Sequence, residues 1–79
     1  MKVYVPMQTI EGELQPILGV YRDITLAMNQ VDEVTQEGMG DGFMWINSWD
    51  KNARGVWVRT FQCDGEDFTN EIWPMETII

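Results

Sequence analysis

Asp23-Ile24-Thr25-Leu26-Ala27-Met28-Asn29-Gln30-Val31-Asp32-Glu33-Val34-Thr35-Gln36-Glu37-Gly38 is the stretch that decides the fold. Ile24, Ala27, Met28, Val31 and Val34 recur at helical spacing, and at about 100° per residue they fall within an arc of about 120°. Asn29, Gln30, Asp32, Glu33, Gln36 and Glu37 take the opposite side, with Leu26 an exposed exception. Asp23 suits the N-cap, because its carboxylate accepts an otherwise unpaired N–H of the first turn. Gly38-Met39-Gly40-Asp41-Gly42 ends the helix by Gly38, since glycine adopts positive φ without strain. A helix with one apolar stripe needs a second layer to lie on, and the flanking segments read as strands.

On the N-terminal side, Lys2 to Met7 is β-branched and aromatic, with Pro6 marking an edge or an end. Thr9 to Pro16 reads as a turn and Ile17 to Tyr21 as the second strand of a hairpin. On the C-terminal side, Phe43 to Trp49 alternates, with Phe43, Trp45, Asn47 and Trp49 on one face and Met44, Ile46 and Ser48 on the other. Asp50 to Gly55 forms a turn, Val56 to Cys63 a strand, Asp64 to Asp67 a turn, and Phe68 to Trp73 a strand that Pro74 interrupts. Met75 to Ile79 is a short strand or a tail. The order β-β-α-β-β-β predicts an α+β domain over residues 1–79: one antiparallel sheet of four to five strands with the helix across one face.

Composition narrows the chemistry. The chain has 79 residues, 44% of them hydrophobic, with thirteen acids, five bases and no histidine, for a net charge of −8. That hydrophobic share suits a globular domain, and the length allows one small core. The acidity argues against direct binding to nucleic acid or to an anionic membrane. Missing histidine removes the side chain most used for acid–base catalysis. Cys63, the single cysteine, excludes an intrachain disulfide, and the N-terminus lacks the pattern of a signal peptide, so a cytoplasmic location is expected.

Candidate motifs fall away one by one. Gly38 to Gly42 is no phosphate loop, because it follows a helix, opens a strand and carries an acid. Asp50-Lys51-Asn52-Ala53-Arg54-Gly55 matches the opening of a calcium loop, but Arg54 stands at a ligand position and Phe61 where the bidentate Glu belongs. Asp64, Glu66 and Asp67 have no ligand spacing. Ser48 is the only serine and Cys63 has no histidine to activate it, so neither an enzyme nor a metal or cofactor is expected.

Charge is uneven. Residues 1–22 are neutral, 23–50 carry −6, 51–63 carry +3 through Lys51, Arg54 and Arg59, and 64–79 carry −5. Asp32, Glu33, Glu37 and Asp41 at the helix end form the expected contact surface, with Asp64, Glu66 and Asp67 second. One helix leaves part of the tryptophan content uncovered, which makes Trp45, Trp49 and Trp57 a possible aromatic interface.

Val3-Tyr4-Val5, Leu18-Gly19-Val20-Tyr21-Arg22-Asp23 and Ala27 resemble a small uncharacterised domain of bacteria and their phages, with Gly42-Phe43 echoing its later strand. The match covers the first half of the chain and implies the β-β-α-β order. In size and acidity the chain is similar to phage-encoded inhibitors of host nucleic-acid machinery, of the anti-CRISPR and anti-restriction types. The expected function is thus a non-enzymatic DNA mimic that binds a basic protein surface in the host cytoplasm. The alternative is a homodimer or larger structural oligomer, or a housekeeping domain, joined through a strand edge or a tryptophan patch.

Overall fold

The computed structural model describes residues 1–77, so the expectation for Ile78 and Ile79 lies outside them. The elements are β1 (Lys2–Ile10), β2 (Glu13–Pro16), α1 (Ile24–Met39), β3 (Phe43–Trp45), β4 (Asp50–Lys51), β5 (Trp57–Cys63) and β6 (Glu66–Glu76). All strand pairs are antiparallel, in the order β2-β1-β6-β5-β3, with β4 also on β5. The helix packs across this sheet, and the architecture is the expected α+β layer.

The first hairpin forms one segment earlier than expected. β2 is Glu13–Pro16, and the turn is Glu11-Gly12, with φ of 52° and 83°. Two successive positive φ values make the tight turn whose twist matches that of paired strands. Ile17 to Tyr21 runs beside β1 but meets it only through Ile17 N to Pro6 O (3.3 Å) and the Tyr4–Tyr21 bridge. Pro6 has no N–H to give on that side, so the regular ladder stops there.

Pro74 does not interrupt β6, which continues to Glu76. Tyr4 exchanges its backbone bonds with Tyr21 (2.7 and 2.9 Å), so its pairing with Pro74 is a non-bonded one. The Pro74 nitrogen therefore faces the β5 side, beyond the first β5 residue, Trp57, where no ladder bond is lost.

Phe43 to Trp49 is likewise not one strand. Trp45 pairs with Phe61 and Asp50 with Val58, so residues 46–49 bulge opposite residues 59 and 60. Asn47 causes this, since its Oδ1 takes the N–H of Thr60 (2.9 Å) while its carbonyl takes Nε of Arg59 (2.8 Å).

Asp23 caps the helix as expected, its Oδ1 accepting from Thr25 N (2.8 Å) and Leu26 N (3.3 Å). The helix ends at Met39 rather than by Gly38, and Gly40 makes the reversal at φ 71°. Its buried face is Ala27, Val31 and Thr35. Val34 belongs to the edge of the stripe and is 41% exposed, whereas Thr35, about three turns from Ile24, falls inside it. Ala27, Val31 and Ile72 form the centre of the core, with Tyr4, Ile17, Leu18, Tyr21, Ile24, Met28, Trp49 and Trp57 around them. Beside it, buried Phe61 stacks on Phe68 (5.3 Å, 18°) and meets Phe43 and Trp45 at 5.5 and 5.8 Å. Buried Asn70 joins the layers by donating to Thr35 Oγ1 (3.1 Å) and accepting from Gln8 Nε2 (2.8 Å).

Candidate functional site

Strand direction brings three connections to one end of the molecule. β1 runs toward Glu11-Gly12, β5 toward Asp64-Gly65, and α1 from the Tyr4 side toward Cys63, whose thiol donates to the Met39 carbonyl (3.6 Å). Asp64-Gly65 has φ values of 52° and 83°, the same as Glu11-Gly12. Asp64 N donates to Gly42 O (3.2 Å), which ties the Gly40-Asp41-Gly42 turn to the β5–β6 turn. A Cβ at Gly42 would meet the Asp64 carboxylate, which would have to swing aside, and would press on the Asp64 backbone nitrogen at 3.3 Å.

The two predicted acidic sets therefore lie at one end of the molecule. The Gly42–Asp64 bond brings Asp41 beside Asp64, Glu37 lies on the outer side of the helix, and Glu66 and Asp67 at the start of β6 point to opposite faces of the sheet, Asp67 accepting from Gln62 Nε2 (3.1 Å); all five are exposed. Glu11, absent from the expected set, joins them from the β1–β2 turn. None of the five bases lies in these connections: Lys2 and Arg22 stand at the other end, and Lys51, Arg54 and Arg59 lie along the β4–β5 hairpin. The helix C-terminus points into this end as well, adding the negative pole of its dipole to the carboxylates.

A groove of about 390 Å³ opens between the helix end and the sheet, lined by Gln8, Thr9, Ile10, Glu11, Met39, Glu66 and Phe68. Ile10, Met39 and Phe68 supply apolar surface, and Glu11 and Glu66 supply carboxylates. Such a lining accommodates a side chain with an aliphatic stem and a cationic tip.

Asp32 is separated from this end. It is half-buried, its Oδ2 binds Arg59 at 2.8 Å, and its Oδ1 accepts from Trp49 Nε1 at 3.1 Å. Glu33 is exposed on the helix but faces neither acidic turn by any contact. The cations are also occupied. Arg59 lies 3.7 Å over the Trp45 ring, Lys51 5.7 Å over Trp57 and Arg54 5.4 Å over Trp73. Trp45, Trp49 and Trp57 are half-buried, Trp49 and Trp57 packed around the core and Trp45 against Phe43 and Phe61. On the face away from the helix, Trp73 borders a groove of about 440 Å³ with Val5, Met7, Leu14, Pro74 and Met75.

The chemistry available at the acidic end is electrostatic. Partial burial, then the Asp64 and Glu66 carboxylates, push the Cys63 thiol above its ordinary value, which opposes formation of a nucleophilic thiolate. In the Asp50–Gly55 turn, Asn52 Oδ1 accepts from Arg54 N (2.9 Å) and Val56 N (3.1 Å), and Gly55 adopts φ 82°. The residues that matched a calcium loop are thus spent on closing a hairpin. Among the described residues no helix is long and apolar enough to cross a membrane.

No family model matches the chain, and no curated protein or solved structure matches it either.

Proposed function

We propose that the protein is a non-enzymatic binding module whose acidic end engages a basic surface on a nucleic-acid-processing or defence protein. The observation that supports this reading is the convergence of Glu11, Glu37, Asp41, Asp64, Glu66 and Asp67 at one end without an interspersed base. Carboxylates presented this way occupy positions that phosphates take in a nucleic-acid groove, and they steer the module onto cationic partners. The groove between Ile10, Met39 and Phe68 then receives a lysine or arginine stem from the partner, with Glu11 and Glu66 at its tip. The resemblance of Val3-Tyr4-Val5 and Gly19-Val20-Tyr21 to a phage-borne domain favours a phage-encoded inhibitor of the anti-CRISPR or anti-restriction type.

The test is affinity capture from host lysate with the natural chain and with a variant carrying Glu37→Lys, Asp41→Lys, Asp64→Lys and Glu66→Lys as paired baits. The expected result is a nucleic-acid-processing protein held by the natural bait, released by salt and lost from the variant. Its association rate should fall by about tenfold or more with the variant. Equal capture by both baits refutes the acidic end as the contact.

A further inference from the structure

Gly42-Phe43-Met44-Trp45-Ile46-Asn47-Ser48-Trp49 carries no charged residue, and it contains β3, one of the two edge strands of the sheet. Two bonds fix which backbone groups of this edge face outward. Asp64 N donates to Gly42 O (3.2 Å) and Ile46 N donates to Thr60 O (3.0 Å). Residues of an antiparallel strand alternate between inward and outward bonding, so Gly42, Met44 and Ile46 face β5. Phe43 and Trp45 turn their N–H and C=O groups outward, and β3 pairs with no other strand among the described residues. Beside this edge, Met44 is 59% and Ile46 51% exposed, on the face opposite Phe43 and Trp45. Natural edges are usually guarded by lysine, proline or a covering loop, and residues 42–46 contain neither residue.

We infer that this edge pairs with the same edge of a second copy, antiparallel and centred on Met44. The register is self-complementary. Phe43 bonds with Trp45 of the partner and Trp45 with Phe43 of the partner, which satisfies all four outward groups. Met44 then meets its own copy as a non-hydrogen-bonded pair, where Cα atoms lie about 4.5 Å apart. Ile46 falls opposite Gly42 of the partner, so the larger side chain covers the residue without one. On the other face the Phe43 and Trp45 rings form two cross-strand aromatic pairs. Shifting the two-fold axis by one residue either way would draw in Asp41 of the 3-10 turn or Asn47 of the bulge, where regular pairing ends.

A second copy also suits the charge. Each chain carries −8, yet antiparallel pairing puts the acidic ends at opposite extremes of the joined edge. The two Asp41 positions stand about 20 Å apart along the strand at about 3.4 Å per residue, more than two Debye lengths at physiological salt. The association therefore strengthens as salt rises, whereas binding of a basic partner at the acidic end weakens. The two readings fail independently.

Sedimentation from micromolar to about millimolar protein, at low and physiological salt, tests the pairing. A monomer–dimer equilibrium that tightens with salt and weakens by about tenfold in Met44→Lys supports it, since like charges would face each other at the axis. Circular dichroism checks the fold of that variant. In a Cys63→Ser background, Met44→Cys should form a disulfide-linked dimer under mild oxidation, while the similarly exposed Met75→Cys should not. A monomer at all concentrations, a dimer indifferent to Met44→Lys, or equal cross-linking at positions 44 and 75 overturns the inference.

Discussion

Replacing Asp32 by Asn should cost stability although Asp32 lies on the polar flank of a helix. The carboxylate accepts from Arg59 at 2.8 Å and from Trp49 Nε1 at 3.1 Å, and the two charged side chains are only 17% and 23% exposed. A hydrogen bond to a charged group contributes about 1.5–3 kcal/mol, and a fully buried pair broken on one side costs about 3–5. Residual solvent screening lowers that range, and the asparagine amide retains one acceptor. We expect a loss of about 2–3 kcal/mol. With a urea slope of about 1 kcal/mol/M for a chain this small, the midpoint should fall by about 2–3 M. Tryptophan fluorescence reports the transition directly, because Trp49 and Trp45 belong to the cluster that is disturbed. Glu33→Gln, one residue on and exposed, is the control and should stay within about 0.5 kcal/mol of the natural chain. If both variants unfold at the same urea concentration, the Asp32–Arg59 contact contributes nothing and the assignment of Asp32 to structure rather than binding is wrong.

Two further outcomes follow from buried or shielded groups. Asn70→Ala should cost about 2–3 kcal/mol in the same urea assay, because it leaves Thr35 and Gln8 without their partner between the layers; a loss below about 1 kcal/mol would show that the network is dispensable. Cys63 should alkylate slowly at pH 7, with the rate rising only above the ordinary thiol range, since partial burial and then the Asp64 and Glu66 carboxylates disfavour the anion; labelling with iodoacetamide from pH 7 to 10 checks this, and Asp64→Asn should move the profile to lower pH.

The helix and its cap were legible because the information is local. Asp23 and the stripe of Ile24, Ala27, Met28 and Val31 lie within nine consecutive residues, and the structure uses all of them. The Asp64-Gly65 turn was legible for the same reason. Glu11-Gly12 adopts the same φ values, but glutamate is a rare occupant of that first position, so this turn carries a weaker local signal. Whether Pro74 ends a strand depended on which side its nitrogen faces, and that is set by Tyr4 and Tyr21, more than fifty residues away in sequence.

The site divides along the same line. Each acidic segment could be read singly, but their union rests on Gly42 meeting Asp64, a contact with no local signal. Asp32 sits on the boundary of the helix stripe, where spacing alone does not decide between solvent and a partner. Arg59, on a strand 27 residues on, decides it. Trp73 has the opposite parity to Phe68 along β6, which places it on the other face of the sheet.

The centre of the sheet has a consequence for how the acidic end comes into being. β1 and β6 are neighbours in space, and the Gln8–Asn70 bond spans 62 residues of chain. Such a pair repays its loop-closure entropy only after almost everything between has been brought in, so folding should be slow for a chain of this size and strongly cooperative. Neither hairpin has a sheet to lean on until that happens. The tips that carry Glu11 and Asp64 belong to different hairpins, one on each side of this central pair. Their shared surface thus exists only in the fully folded chain, and a proteolytic fragment of either half should present no acidic end at all.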